Sequence, residues 1–457
     1  MFFEYDKQTS LDLELFQNDR TEKCLFSVFG RTVTKGGQET VLRLFKTPTF
    51  DINSLEGRKA EIHFFFKNKP HLKLNSEYCA FIEHYLAINK NPLRDNIIDA
   101  TYNGIMNLIS PDGDYWIISN GIRYIIQLLI DLKNFIEETD ELEVPLTLKE
   151  DFAEVKKFLS IKILWKIMLN PPQQAENLAY SVINALDHFF RESHKHQLRE
   201  VIQIIYKIDV LQTLSSIMKS EGYTLPQYTF ESGIVFEMTD GFHPFLSSPV
   251  TNSFTVQNNS SLCFLTGPNM SGKSTFLKTI GIMIYLSHLG FPVPAKNLKT
   301  SVFNGLYTTI NLSDNINFGY SHFYSEVKRV KDIAGKISSE KKLVIIFDEL
   351  FRGTNVKDAF DASLAIVSKI AKIKNNLFYI SSHILEVAEN LDNKENVVFK
   401  CFESSLINET PVYDYKLKEG ISQERIGMVI IRNERIIEIL NEVTEKQYER
   451  TNANYTN

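Results

Sequence analysis

The strongest constraint on the fold is a glycine-containing segment, Gly267-Pro-Asn-Met-Ser-Gly-Lys-Ser-Thr275, which fits the pattern G-x-x-x-x-G-K-[ST]. It follows a short apolar run, Leu262–Leu265, and opens a helical pattern at Ser274. Glycines let backbone N–H groups wrap around a polyphosphate, and the N-terminus of the helix adds positive potential. A strand, this loop and a helix in that order predict a nucleotide-binding loop.

Within such a loop, the lysine and the hydroxyl that follows it have separate tasks. We predict that Lys273 reaches the β- and γ-phosphates and so counts as a catalytic residue, and that the Ser274 hydroxyl ligates Mg²⁺. The expected cofactors are therefore ATP and Mg²⁺. The residues predicted to bind the nucleotide are Gly267, Pro268, Asn269, Met270, Ser271, Gly272, Lys273, Ser274 and Thr275.

Polar residues follow two further apolar runs. Asp348 and Glu349 come directly after Leu343–Phe347, and His383 comes shortly after Leu377–Ile380. Beside a phosphate loop, Asp348 is expected to hold Mg²⁺ through water, and Glu349 to orient or deprotonate the attacking water. His383 is predicted to sense the γ-phosphate and couple its loss to movement. The alternative for His383 is an ordinary loop histidine with satisfied hydrogen bonds.

The sequence pattern changes near residue 225. Upstream, apolar residues recur at helical spacing, as in Gln197–Ser220, which has no internal Gly or Pro and predicts one long helix. Downstream, short apolar runs alternate with helical stretches, which predicts a parallel-rich sheet covered by helices. The predicted fold is multi-domain α and α/β: an all-helical domain over 1–225, a P-loop NTPase domain of the ABC-like type over 226–420, and a short C-terminal helical segment with a polar tail over 421–457.

Composition excludes several classes of protein. The 457 residues include 4 cysteines without a CxxC pair, which disfavours a disulfide framework or zinc site and predicts reduced thiols in the cytoplasm. The sequence contains no uncharged apolar run of 18 residues and no basic-then-apolar start, so neither a membrane span nor secretion is expected. The net charge of −6 excludes a polybasic nucleic-acid binder, so any such binding must come from local patches.

The motifs resemble those of the MutS-type DNA mismatch repair ATPases. Thr266–Thr275 is similar to the P-loop of that family, in which the Pro-Asn-Met core is distinctive, and Asp348–Asn355 is similar to its acidic strand and following turn. The segment around Ser321 resembles the loop that reaches the nucleotide of the second subunit. Ile208–Leu211 resembles the junction at which the lever helix enters the ATPase, and Tyr415–Gly420 a strand and turn near its end.

The resemblance implies a homodimeric, Mg-dependent ATPase in which Ser321 completes the nucleotide site of the other copy. It also implies that residues 1–225 form the family's core and lever and that the C-terminal segment dimerises. The chain departs from the family pattern: the core-like region begins by about residue 11, without the mismatch-reading and connector domains, and the DNA clamp is expected to be reduced or absent. Phe351 replaces a glycine, and Pro249-Val250 stands where many members place an aromatic residue under adenine.

Charge does not by itself favour DNA as a partner. Residues 1–230 contain 26 Lys and Arg against 31 Asp and Glu, a poor balance for non-specific binding to DNA. Two local groups are nevertheless candidates for phosphate contacts, and a solvated helix face is the alternative for each. The candidate residues are Lys67, Lys69, Arg191, Lys195 and Arg199.

The leading hypothesis is an ATP-dependent DNA-binding homodimer that acts on mismatched, looped or branched DNA in repair or recombination, with a possible downstream repair protein as a further partner. The alternative is a nucleotide-switched scaffold that binds a protein partner and never contacts DNA. A transporter or chromosome-structuring ATPase lacks support, because the sequence has neither a Leu-Ser-Gly-Gly-Gln signature nor a long coiled coil.

Overall fold

The computed structural model describes residues 2–17, 23–109, 112–169, 178–230, 233–257, 260–310, 322–351, 354–391, 394–407, 410–422 and 431–455. The chain forms two compact units. The helical unit contains Phe16–Leu225 and Leu289–Pro292, and the sheet unit contains Met1–Leu15, Pro226–His288 and Val293–Asn457. The protein is therefore a mixed helix and sheet structure.

The helices and strands follow one another in two stretches of different character. The helices are α1 (Lys7–Asp12), α2 (Leu25–Phe29), α3 (Lys35–Lys46), α4 (Ile52–Asn68), α5 (Ser76–Leu86), α6 (Ile97–Ile109), α7 (Gly113–Thr139), α8 (Leu146–Leu159), α9 (Lys162–Leu169), α10 (Tyr180–His188), a π-helical turn (Phe189–Ser193), α11 (Lys195–Glu221), α12 (Lys273–Ser287), α13 (His322–Ala334), α14 (Val356–Ile370), α15 (Leu385–Glu389) and α16 (Ile436–Tyr455). The strands are β1 (Gln227–Thr229), β2 (Val235–Gly241), β3 (Asn252–Gln257), β4 (Leu262–Thr266), β5 (Asn297–Ser301), β6 (Gly305–Thr309), β7 (Leu343–Asp348), β8 (Leu377–Ser381), β9 (Val397–Cys401), β10 (Ser404–Ile407), β11 (Thr410–Tyr413) and β12 (Lys418–Glu419).

Helix α11 is the central element of the helical unit. It extends the helix predicted over Gln197–Ser220 by a residue or two at each end, and it ends where Gly222 adopts the left-handed conformation with φ of 70°. Its buried residues pack against α3, α4 and α8. Among the described helices, α11 is long and apolar enough to cross a membrane, but 67% of its most apolar window is buried inside the protein, as in a core helix.

The sheet unit is built on six strands in the order β12-β9-β4-β8-β7-β6. The inner pairings from β9 to β6 are all parallel, and β12 joins the edge in the antiparallel direction. Every residue of β4 and β8 is buried, which explains why these strands have continuous apolar sequences. A second, four-stranded sheet has the order β1-β5-β2-β3.

The first fifteen residues differ from the predicted domain boundary, because they pack within the sheet unit and not within the helical unit. Glu4 forms a parallel bridge with Gly305, at the beginning of β6. The buried ring of Phe3 stacks on the fully buried ring of His288, with 4.2 Å between centroids. These are contacts between residues far apart in sequence, so local periodicity does not reveal them.

The C-terminal segment continues as a helix, α16, to Tyr455, so the predicted polar tail is helical over most of its length. Ile439 and Leu440 on this helix are more than half exposed. The predicted segment 421–457 lies partly outside the described residues, because 423–430 are not among them.

Candidate nucleotide-binding and hydrolysis site

The predicted phosphate loop joins the central strand β4 to α12. Gly267 has φ of 142°, and a Cβ atom at this position would lie 2.7 Å from the backbone oxygen of Phe402. Gly272 caps α12 with φ of 103°, in the left-handed region that disfavours other residues. Glycine is therefore required at both ends of the loop, for backbone approach at the first position and for conformation at the second.

Lys273 is folded back into this loop. Its Nζ atom donates to the carbonyl oxygens of Gly267 at 2.9 Å and Pro268 at 3.0 Å. Burial lowers the pKa of the Lys273 ammonium, and the charges of Glu349 and Asp348 oppose that shift. The Ser271 hydroxyl is also buried, with no hydrogen-bond partner within the part of the chain that the structure describes. The loop thus holds a buried cation and a buried unsatisfied hydroxyl, both of which suit a phosphate group.

A cavity of about 480 Å³ opens beside the loop. Its size lies in the range of small-molecule sites. The loop contributes Asn269, Met270 and the start of α12, and Glu349 lies at the border of the cavity. Other lining residues supply apolar and aromatic surface: Phe242, His243, Leu246, Val250, Phe402 and Tyr415. A nucleotide with its phosphates at the loop and its base near the aromatic residues fits this lining.

The two predicted magnesium ligands lie in direct contact. Ser274 Oγ donates to Asp348 Oδ2 at 2.5 Å, and Asp348 Oδ1 accepts a hydrogen bond from Ser381 Oγ. Burial raises the pKa of Asp348, although both hydrogen bonds lower it. No group of three or more His, Cys, Asp or Glu side chains able to hold a metal occurs within the described ranges. A hydroxyl and one carboxylate nevertheless suit Mg²⁺, which takes its remaining ligands from water and substrate phosphates.

Glu349 and His383 form a pair beside Lys273. The distance from His383 Nε2 to Glu349 Oε1 is 2.5 Å, and the distance from the same nitrogen to Lys273 Nζ is 3.5 Å. Glu349 adopts φ of 58°, an uncommon conformation for a residue with a side chain. Its backbone N–H donates to the oxygen and to the hydroxyl of Ser381. The structure therefore brings Lys273, Ser274, Asp348, Glu349 and His383 together at one end of the parallel sheet.

The region that carries this site is similar in sequence to known proteins. Residues 263–452 match the family model described as MutS domain V. A protein from Acetivibrio thermocellus, named DNA mismatch repair protein MutS, is 25% identical over 294 residues, which are 62% of this chain and 33% of that protein. Proteins of the same name from Bacillus cereus and Bacillus thuringiensis are 28% and 29% identical over 296 and 294 residues, covering 61% of this chain and 32% of each relative.

Over this region the chain is similar to MutS proteins. The family match begins in β4 and includes the phosphate loop, the two carboxylates and His383. The chain spans about a third of the length of the curated relatives that it matches. The activity, substrates and partners of those longer proteins are therefore proposals for this one.

The turn after the acidic strand is unusual in this chain. Phe351, at the position where the sequence resemblance suggests a glycine, adopts φ of 63°. A side chain in this region costs about 1–2 kcal/mol. The Phe351 ring is 1% exposed, and its centroid lies 5.6 Å from that of Phe323. Burial of the ring offsets the conformational cost. Arg352 and Gly353, which follow in the motif, lie outside the described residues.

Ser381 is a site residue that the sequence interpretation missed. The Ser381 hydroxyl donates to Asp348 and accepts from the Glu349 backbone N–H, so one buried side chain contacts both acidic residues. The pairing of β7 with β8 places Asp348 opposite Ser381, so the contact depends on the register of these two strands. The exact register of two parallel strands is not readable from either sequence alone.

We expect Ser381→Ala to lower the kcat for ATP hydrolysis roughly tenfold, because small displacements of reacting groups are costly. The fold and nucleotide affinity should change little, since the substitution keeps the backbone and most of the volume. Ser287→Ala is the matched control, because this buried hydroxyl bonds locally to Ile284 O at 2.8 Å. Steady-state kinetics of both variants test the assignment, and equal kcat values for the two would refute it.

The predicted DNA contacts have different outcomes. Lys67, Lys69, Lys195 and Arg199 are exposed and accessible to a phosphate backbone. Ser321, the predicted contact to the second nucleotide site, lies outside the described residues, so its role stays a prediction.

Arg191 contradicts its prediction as a DNA contact. Its side chain is 5% exposed, and Nε and Nη2 donate to the Asp187 carboxylate at 2.7 and 2.6 Å. Nη1 donates to Lys90 O at 2.6 Å, and the guanidinium lies 5.6 Å from the centre of the Tyr85 ring. A guanidinium buried in these contacts cannot reach a DNA phosphate without breaking the local fold. Arg191 has instead a structural role within the helical unit.

Proposed function

We propose that this chain is a Mg-dependent ATPase that converts ATP and water to ADP and phosphate. The supporting observation is the convergence of a buried lysine, a hydroxyl–carboxylate pair and a histidine–glutamate pair beside the phosphate loop, where Lys273, Ser274 and Glu349 line the cavity. Lys273 binds the β- and γ-phosphates, and Ser274 and Asp348 hold the metal. Bound Mg²⁺ neutralises charge on the phosphate oxygens. The domain that carries this activity is proposed to have the ABC-like P-loop NTPase fold.

Glu349 and His383 have complementary roles in the proposed reaction. The Glu349 carboxylate orients the attacking water and accepts its proton. His383 fixes that carboxylate through the 2.5 Å hydrogen bond and lies close enough to Lys273 to respond when phosphate leaves. Lys273 donates to two loop carbonyls, and because an ammonium group carries three N–H donors, a further donor remains for a phosphate oxygen.

We further propose that two copies assemble, with Ser321 of each copy completing the nucleotide site of the other, and that the dimer acts in the cytoplasm. Support comes from the match to MutS domain V, which extends into α16 and ends at residue 452. The incompletely buried apolar residues of α16 are available for contacts between copies.

DNA is the proposed partner, in mismatched, looped or branched form, with a downstream repair protein as a further partner. The similar proteins carry the name DNA mismatch repair protein MutS, and four of the five predicted basic contacts are exposed. A nucleotide-switched scaffold for a protein partner is the second candidate. It is favoured by the acidic balance of residues 1–230, with 26 basic against 31 acidic side chains.

A salt-dependent gel-shift assay distinguishes these two candidates. Duplex, single-mismatch and four-way-junction DNA would be titrated with and without ATP at low and moderate salt. We expect structured DNA to bind more tightly than duplex, with an affinity that falls as salt rises because phosphate contacts release counterions. Lys195→Gln should reduce the salt slope, and Lys296→Gln, an exposed lysine of the sheet unit, is its control. Absence of binding to every DNA at low salt would favour the scaffold.

A further inference from the structure

The first residues of the chain lie along the outer edge of the six-stranded sheet. Residues 2–15, named here the N-terminal strap, follow the edge strand β6 from its first residue to just beyond its last. The backbone of Glu4 pairs with Asn304 O and with Leu306 N, at 2.8 and 2.9 Å. Tyr307 OH donates to the Glu4 carboxylate at 3.0 Å. The strap thus begins as an added partner of β6.

Further along, side chains replace the backbone as acceptors. Alternate N–H groups of an edge strand point away from the sheet and need partners. The strap supplies one for each of three such groups: Leu306 N donates to Glu4 O at 2.9 Å, Thr308 N to Thr9 Oγ1 at 3.0 Å, and Ile310 N to Asp12 Oδ2 at 2.9 Å. The strap therefore satisfies the outward N–H groups of Leu306 and Thr308 in β6 and of Ile310, the residue after it.

Asp12 is the central residue of this arrangement. Asp12 is 1% exposed. Its carboxylate accepts hydrogen bonds from Ile310 N, from Thr308 Oγ1 at 2.7 Å and from Gln8 Nε2 at 2.9 Å. A buried carboxylate is costly unless its lone pairs are satisfied. These donors satisfy it only while β6 keeps its position.

The strap also contacts the two helices beside the strand. Glu14 pairs with Lys278 of α12 at 2.7 Å, and Leu13 packs against Gly281, where a Cβ atom would lie 2.7 Å from it. Asp6 pairs with Arg329 of α13 at 2.5 Å. Helix α12 begins with Lys273 and Ser274, so one strap holds both the phosphate-loop helix and the edge strand.

The edge strand in turn adjoins the strand that carries the acids. In the β6–β7 pair, Thr308 lies opposite Ile346 and Thr309 opposite Phe347, and the next residue of β7 is Asp348. A displacement of the end of β6 would therefore reach Asp348 through the ladder of hydrogen bonds. The same displacement would reach Ser274, because β6 contacts α12 and Ser274 lies in the first turn of that helix.

We propose that the strap is a positioning element for ATP hydrolysis, with Asp12 as its main positioning residue. It holds the end of β6 and the middle of α12 so that Asp348, Glu349 and Ser274 keep their reactive arrangement. This inference rests on the proposed ATPase activity. After Leu15 the chain enters the helical unit at Phe16, so the strap is also a direct covalent connection from that unit to the site.

The test is Asp12→Asn in the full-length chain, with kcat, KM and nucleotide affinity measured together. The expected result is a kcat lowered about tenfold, with unchanged affinity for a non-hydrolysable ATP analogue. Asp209→Asn is the matched control, because that buried carboxylate of the helical unit also accepts three hydrogen bonds, from Val33 N, Thr34 N and Thr34 Oγ1. Equal loss of kcat in both variants would reduce Asp12 to a general stabilising role and overturn the proposal.

A second variant covers the case in which Asp12→Asn does not fold. Thr9→Val removes the acceptor for Thr308 N with little change of volume, and it should lower kcat in the same direction by a smaller factor. Hydrogen exchange should show faster exchange at Thr308 in this variant. If Thr9→Val keeps the wild-type kcat although its Thr308 amide exchanges faster, the strap proposal is overturned. The proposed ATPase activity is not affected by that result. A wild-type protein that binds nucleotide but does not hydrolyse it would instead overturn the proposed ATPase activity.

Discussion

Glu349→Gln should bind ATP as tightly as the wild type and hydrolyse it roughly 10²- to 10⁴-fold more slowly, the range expected for loss of a general base. The amide keeps the size of the side chain and can still accept a hydrogen bond from His383 Nε2, which lies 2.5 Å from the carboxylate. What it cannot do is accept a proton from water. Binding and catalysis should therefore separate in this variant.

Single-turnover hydrolysis and equilibrium binding of ATP to the purified variant measure the two quantities independently. Glu389→Gln is the matched control, because Glu389 is an exposed residue at the end of α15, outside the residues lining the cavity. Turnover that is unchanged in Glu349→Gln would remove Glu349 from the mechanism. A parallel loss in the control would point to the preparation and not to the carboxylate.

Lys273→Ala should weaken nucleotide binding by about 2–5 kcal/mol, which raises the Kd roughly 30-fold or more. This is the usual cost of truncating one partner of a buried charge pair. The Lys273 side chain is the buried cation of the loop, and its Nζ lies within 3.0 Å of the carbonyl oxygens of Gly267 and Pro268. Alanine removes this buried cation and its hydrogen-bond donors.

Isothermal titration of Mg-ATP into the variant and into Lys296→Ala, an exposed lysine of the same unit, tests this expectation. The control should bind normally. An undiminished titration signal in Lys273→Ala would count against the entire assignment of the site. Circular dichroism of both proteins shows whether any loss reflects binding or folding.

The phosphate loop and the buried strands are features that a local sequence pattern predicts. Gly267, Gly272 and Lys273 lie in one short segment, and the strands β4, β7 and β8 have apolar sequences because both faces are covered. The match of residues 263–452 to MutS domain V supports the same part of the prediction. The chemistry of this loop depends on neighbours in sequence, so its sequence carries enough information.

Residues whose roles depend on distant partners were not predictable in the same way. Ser381 acts on Asp348 and Glu349 through the register of two strands, and Arg191 is buried by its contacts to Asp187 and Lys90. The sequence alone does not distinguish Arg191 from an exposed lysine or arginine. Its ion pair at i and i+4 was visible in the sequence, but its burial was not.

The N-terminal strap shows the same limit at the level of a domain boundary. Residues 1–15 precede the helical region in sequence, yet their partners Thr308 and Ile310 come almost three hundred residues later, as the separations of 296 and 298 for Asp12 show. Periodicity reports only on neighbours within an element. Tertiary hydrogen bonds therefore decide to which unit the strap belongs.

The most direct test of the proposed site is a crystal structure of the wild-type chain with a non-hydrolysable ATP analogue and Mg²⁺. The phosphates should lie within hydrogen-bonding distance of Lys273 Nζ and the loop amides, with the metal between Ser274 and Asp348. Density for the analogue elsewhere, or an empty cavity at a saturating concentration of the analogue, would contradict the account.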